Sequence, residues 1–149
     1  MVNRPRSDST VESVSTSRGE MSLWSPSQDL LVCRVRKHGE GKFSPPIIRA
    51  FNALTGARIH IFFDFEVMPT YDSELRVELT KHFAEQRARI HQLDVLIGSR
   101  LVAMGVEVAR LALNFIRPHT KRATFQAELD RAIIQRKLTG FSSSSLLSA

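Results

Sequence analysis

The chain is 149 residues long, a length that suits one domain. Hydrophobic residues make up 42% and charged residues 24%, which excludes a collagen, a wholly disordered chain and a disulfide scaffold. The formal net charge is +6, from 21 Lys and Arg against 15 Asp and Glu, and the single cysteine, Cys33, excludes an internal disulfide. One thiol and no disulfide fit a reducing compartment, so a cytoplasmic location is expected. No apolar run approaches the roughly 18 residues needed to span a bilayer, so no membrane span is expected.

Residues 1–28 hold eight serines, Pro5 and Pro26, with charges that cancel. Little apolar periodicity is visible there, and the reading is a disordered Ser-rich tail. No apolar core of a secretory signal follows Met1, and Asp8, Glu12 and Glu20 argue against a transit peptide. Asp29–Arg36 (DLLVCRVR) is β-rich and suits a first strand. Lys37–Lys42, with Gly39 and Gly41, reads as a turn. Ser44-Pro45 opens a helix, because Ser accepts from orphan amides and Pro fits the first helical position. Ile47, Ile48, Phe51 and Leu54 follow at helical spacing, and Gly56 is placed to end it.

Arg58–Phe65 alternates: Ile59, Ile61, Phe63 and Phe65 share one face, and His60, Phe62 and Asp64 the other. Pro69 breaks the run. Asp72 can then cap a helix over Ser73–Ile90 whose buried stripe is Leu75, Leu79, Phe83 and Ile90, with Glu85 and Arg89 one turn apart outside. Leu93–Ile97 suits a strand covered on both faces. Gly98-Ser99-Arg100 leads into an apolar helix, about Leu101–Leu113. Asn114–Arg117 is a last short strand ended by Pro118. Thr120 caps a final helix that turns Phe125, Leu129, Ala132 and Ile133 inward. Residues 139–149, with Ser142 to Ser145 in a row, read as a flexible C-terminal tail. The domain therefore spans residues 29–138.

Alternation of strands and helices argues for an α/β fold with parallel pairs. The expected architecture is a small mixed sheet of four to five strands covered by about four helices.

This order, with a strand ending in Phe63-Asp64, a loop Phe65–Tyr71 and Asp72-Ser73 opening a helix, resembles the STAS domain. That fold is shared by anti-sigma factor antagonists and the cytoplasmic tails of sulfate transporters. The eight-residue step from Asp64 to Asp72 is similar to the family's. Gly39-Glu40 resembles its Gly-Glu turn, and Phe115-Ile116 with the Ala123–Ile133 helix its closing strand and helix. Two departures stand out. Glu74-Leu75 follows Asp-Ser where antagonists have Ser, Thr or Ala and then Gly. Gly98–Leu113 looks more like uncharacterised bacterial STAS-like proteins. The resemblance implies a non-enzymatic regulatory interaction module. Its partner would be a protein such as an anti-sigma factor or kinase, and it would be switched by phosphorylation of Ser73. Phosphate there adds a charge of about −1.5 to −2 at a helix N-terminus.

The partner-binding candidates are Asp64, Glu66, Tyr71, Asp72, Ser73 and Glu74. The plain alternative for Asp72-Ser73 is a helix start, and for Asp64, Glu66 and Asp72 it is capping and solvation. Ser99 and Arg100 form a weaker anion-binding candidate at a helix N-terminus, with a simple strand-to-helix turn as the alternative. His38, His60, His82, His91 and His119 lie at no metal-like spacing. No G-x-S-x-G, H-E-x-x-H, G-x-G-x-x-G or C-x-x-C occurs, so neither catalytic residues nor a cofactor are assigned. Cys33, flanked on its own face by Leu31 and Val35, reads as a buried, inert thiol.

A second reading is a carrier for a small ligand, a nucleotide or a lipid, with the Gly105 helix and the Phe62/Phe63 strand as pocket walls. A third is weak nucleic-acid binding by the basic C-terminal helix. From Arg110 onward seven basic residues face only Glu128 and Asp130. The plainer view of those charges is a solvated helix face, and nucleic acid is the less expected partner. Oligomeric state is not encoded in any feature of the pattern.

Overall fold

The computed structural model describes residues 11–148, with side-chain surroundings through residue 138. Among these residues the chain forms seven strands and four α-helices, an α/β fold with a mixed sheet. The strands are β1 (Val11–Ser15), β2 (Gly19–Ser27), β3 (Leu30–Gly39), β4 (Ile59–Phe65), β5 (Thr70–Tyr71), β6 (Ile90–Ile97) and β7 (Ile116–His119). The helices are α1 (Ser44–Ala53), α2 (Ser73–Glu85), α3 (Arg100–Arg110) and α4 (Arg122–Ser148).

The sheet runs β1-β2-β3-β4-β6-β7, with β5 paired to the end of β3. β1, β2 and β3 are an antiparallel meander; β3, β4, β6 and β7 are parallel. Parallel neighbours need a crossover, and α1, α2 and α3 supply one each. The apolar residues Leu31, Cys33, Ile61, Phe63 and Val95 lie in the core under these helices. The opposite face packs against α4 through Leu30, Val32, Phe62, Leu96, Phe125 and Leu129. The alternation read along Arg58–Phe65 thus sorts its residues onto the two faces as expected.

The sheet is larger than the four to five strands expected, and the reason lies before Asp29. Residues 11–27, read as part of a disordered tail, form β1 and β2. Met21 and Leu23 are buried, at 1% and 3% exposure, and Met21 pairs with Val35 and Leu23 with Cys33. The serines alternate with these apolar residues, and the hairpin's second face is only partly covered, with Trp24 packing beside the α4 layer, which antiparallel sheets tolerate. Residues 1–10 lie outside the described residues. At the other end α4 runs to Ser148, through most of the segment expected to be a flexible tail.

Several boundaries move. α2 ends at Glu85, and Ile90 opens β6 rather than closing the helix. The expected Glu85–Arg89 pair is replaced: the Arg89 guanidinium donates to the Leu54 carbonyl at 2.8 Å and lies 5.0 Å over the Phe51 ring. Pro118 lies inside β7, which is an edge strand, where a missing N–H is tolerated. α4 starts at Arg122, and its first-turn amide of Phe125 donates to the Lys121 carbonyl, so Thr120 is not the cap. Gly56 does not close α1, which stops at Ala53; its amide donates to the Gln28 carbonyl beside Asp29. Lys37 sits at φ 66, a left-handed conformation, and its amide donates to the Val67 carbonyl. That kink turns the end of β3 toward β5, so that His38 pairs with Thr70.

Candidate functional site

All four parallel strands end at the same edge of the sheet, and the candidate residues gather there. Asp64 closes β4 under α4 and is 3% exposed. Its carboxylate receives Arg34 at 3.3 Å and Arg122 at 2.7 Å, and Arg122 also reaches Glu66 at 2.7 Å. Two arginines therefore neutralise the Asp64–Glu66 pair, which leaves these acids structural work. Asp72 stands apart from them. Asp72 occupies the N-cap position of α2, yet its side chain makes no cap hydrogen bond. Its carboxylate instead accepts from the Gly41 amide at 2.9 Å and from His38 Nε2 at 2.8 Å, with Arg18 at 3.9 Å. The His38 hydrogen bond, then the Gly41 amide, hold this carboxyl below the usual Asp range.

These contacts pin the start of α2 to the turn after β3. The Gly-Glu turn is fastened as well: Thr16 donates its hydroxyl to the buried Glu40 carboxylate, joining the β1–β2 turn to the same corner. Ser73, the first residue of α2, is exposed, and so is Glu74. The free amides of a helix N-terminus favour negative charge. Ser99 has the plain role: its hydroxyl caps α3 by accepting from the Val102 amide at 3.2 Å and reaches the Pro69 carbonyl. Arg100 next to it is exposed. The anion-binding geometry expected at Ser99 is thus used internally.

Between the sheet, α2 and α3 lies a cavity of about 80 Å³, with almost wholly apolar walls. Phe63, Leu79, Phe83, Val95, Val102 and Gly105 are among its lining, while Tyr71, Arg76 and Thr80 are its only polar side chains. Gly105 and Phe63 are therefore pocket walls, as expected, but Phe62 is not; it faces α4. Tyr71 is wedged against α3: a Cβ on Gly105 would sit 2.1 Å from the Tyr71 hydroxyl.

The rim of the α2–α3 groove follows from helical spacing. Arg76 lies beside Gly105, so this flank of α2 faces α3, and Ser73 and Thr80 share it at i−3 and i+4. On α3 the buried face is Val102, Gly105, Val106 and Ala109. Beyond Gly105, on the α2 side, come Leu101, Met104, Val108 and Leu111, all exposed. Ser73 therefore heads a groove with an apolar rim.

A second polar centre went unnoticed in the sequence. His60, Asp94 and His119, from β4, β6 and β7, meet under α4, with Asp94 fully buried. Neither His60 nor His119 lies at a sequence spacing that marks a site. Period-two phase places both on the Asp94 face, but nothing short-range announces the cluster. The basic C-terminal residues are largely occupied: Arg117 and Arg131 pair with Glu128, Arg122 with Asp64 and Glu66, and Arg136 with Asp29. Among the described residues no group of three or more His, Cys, Asp or Glu side chains is placed to hold a metal ion, and no helix is long and apolar enough to cross a membrane. The chain matches no family model, no curated protein and no solved structure.

Proposed function

We propose that this chain is a non-enzymatic regulatory module, resembling anti-sigma factor antagonists of the STAS type, that docks a protein partner in the bacterial cytoplasm. The docking surface is the α2–α3 groove, and phosphorylation of Ser73 is its switch. One observation carries this reading: Ser73 is exposed on the first turn of α2, beside the exposed apolar flank Leu101, Met104 and Val108 of α3. Exposed apolar side chains in a contiguous set mark interaction surfaces. A phosphate at Ser73 adds about two negative charges beside Asp72 and Glu74, and so changes what the head of the groove accepts. The partner is a protein that buries apolar surface there, an anti-sigma factor or kinase by the family resemblance. Nucleic acid is the weaker candidate, because the arginines of α4 and its approach are spent in ion pairs.

Intact mass measurement of the protein from its native host, followed by affinity capture with Ser73→Ala and Ser73→Glu, tests the reading. A gain of about 80 Da mapped to Ser73, and a partner that binds the two variants with different affinity, are expected. Equal binding of both variants by that partner removes the switch. A partner that ignores Met104→Asp and Val108→Asp removes the groove.

A further inference from the structure

The cavity beneath that groove makes a separate site. We propose that it binds a short-chain aliphatic carboxylate, with the tail buried between the sheet and helices α2 and α3 and the carboxylate on Arg76. The inference needs neither Ser73 nor a protein partner.

Size comes first. Pockets for drug-sized ligands and cofactors occupy roughly 300–1,000 Å³, whereas this cavity is about 80 Å³. A nucleotide does not fit, and a whole lipid does not fit; a tail of a few carbons does. Chemistry comes second. The walls are aromatic and aliphatic, so the pocket suits an apolar guest. No polar group among the deep walls asks for a hydrogen bond, so the buried part of the guest is hydrocarbon.

The mouth decides the head group. Its polar side chains are Tyr71, Arg76 and Thr80. Among the described residues Arg76 makes neither an ion pair nor a side-chain hydrogen bond, while Arg34, Arg122 and Arg136 are all paired. A guanidinium grips a carboxylate through two parallel hydrogen bonds. Position 105 supports this arrangement. Glycine inside a helix is a cost in stability. Here a Cβ would come within 2.1 Å of the Tyr71 hydroxyl and 3.3 Å of Arg76 Cδ. The missing side chain is what lets the tyrosine ring and the arginine stem lie across the mouth. The net charge of +6 also favours an anion.

The test is titration of the full chain, with methyl groups isotopically labelled, using butyrate, hexanoate and hexanol, read by methyl shifts and calorimetry. Saturable shifts at Leu79, Val102 and Val106 are expected. Hexanoate should bind about 15-fold tighter than butyrate, from two added methylenes. Hexanol should bind about tenfold more weakly than hexanoate, for want of the charge-assisted pair. Arg76→Gln, at a partly exposed position, should bring hexanoate down to the level of hexanol and leave hexanol unchanged. Ala109→Leu, which fills the cavity, should abolish both. Absence of saturable shifts at these methyls overturns the site. Equal binding of hexanol and hexanoate overturns the role of Arg76. Capture only of phosphatidylglycerol vesicles, with no response to free hexanoate, assigns the chain to a bilayer lipid and overturns the proposal. The docking reading fails separately, through the Ser73 variants and their partner.

Discussion

His60 Nε2 lies 2.5 Å from Asp94 Oδ2, in the closed layer between the sheet and α4. His119 Nε2 lies 2.6 Å from the other carboxylate oxygen, and the Gln92 amide donates to Oδ2 at 2.8 Å. The His60 ring stacks on Phe62 at 4.3 Å, and the His119 ring meets Phe125 edge-on at 5.7 Å. Three strands and α4 are thus tied at one buried carboxylate. Burial pushes the Asp94 carboxyl up, but the hydrogen bonds from His60, His119 and Gln92 outweigh it and hold the group below the ordinary Asp range.

The sign of the acid response follows. A lowered carboxyl favours the folded state above the unfolded value of about 3.9, and that contribution is lost as pH falls through the folded value. Asp94→Asn places an amide against two ring N–H donors and removes their anionic acceptor. Denaturant unfolding at pH 7 should show a loss of about 2–4 kcal/mol. The difference from the parent should shrink below pH 4, where the unfolded chain takes up its proton while the folded carboxyl still holds its charge. A constant difference down to pH 2 would contradict this assignment.

His82 works in the opposite chemical sense. Its ring packs edge-on against Phe51 at 5.6 Å, and its Nε2 is buried without a hydrogen-bond partner. Burial pushes this imidazole below its usual value, against the pull of Glu85 and with the help of Arg89. His91 is lowered too, again chiefly by burial. The unfolded chain then takes up protons first, so stability falls as pH drops through about 6.5. His82→Leu should raise stability at pH 7 by up to about 1 kcal/mol and flatten the slope between pH 7 and pH 5. An unchanged slope in urea titrations would count against it.

Met21 and Leu23 test the hairpin that the serine-rich composition concealed. Both lie in the main core although they precede Asp29. Met21→Ala and Leu23→Ala should each cost about 2–5 kcal/mol in chemical denaturation. Removal of residues 1–28 should leave β3 as a bare edge and give insoluble or unfolded protein by circular dichroism. A soluble, fully folded truncation would show that the domain begins at Asp29 after all.

Cys33 is fully buried on β3, between the sheet and the helices of the main core. Burial, and secondarily the Asp64 charge, push its thiol far above the ordinary range. The thiolate is the reactive form, so a disulfide reagent should label Cys33 only at the rate of global unfolding. Labelling in native buffer within seconds, with no change on adding denaturant, would overturn the burial.

Local pattern made much of this molecule legible. The alternation of Ile59 to Phe65 encodes a strand with two faces, because successive side chains point opposite ways. Ser44-Pro45, Asp72-Ser73 and Ser99-Arg100 mark helix starts, but only Ser99 caps through its side chain; Ser44 is itself the first residue of α1, and its hydroxyl donates to the Gly41 carbonyl instead of accepting from orphan amides. Asp64 and Asp72 both lie at the edge where the parallel strands end, but in separate polar clusters. What these signals lack is the identity of partners. Asp72 looks like a helix cap in sequence, but the Gly41 amide and His38, more than thirty residues away, claim its carboxylate. Asp64 and Glu66 look like a solvated acidic pair, but Arg122 reaches both.

Strand pairing is the larger gap. Serine is a weak strand former, and the alternation of Met21 and Leu23 becomes meaningful only when β3 lies beside it to bury them. The Asp94–His60–His119 centre has the same origin, since its members come from three strands brought side by side by two crossovers. The amino-acid sequence by itself determined the local periods, the helix starts, the charge and the faces of each element. Tertiary structure alone decided which strands are neighbours, which acids are neutralised and where the cavity opens, because those depend on contacts between residues far apart in the chain, and periodicity carries no record of distance.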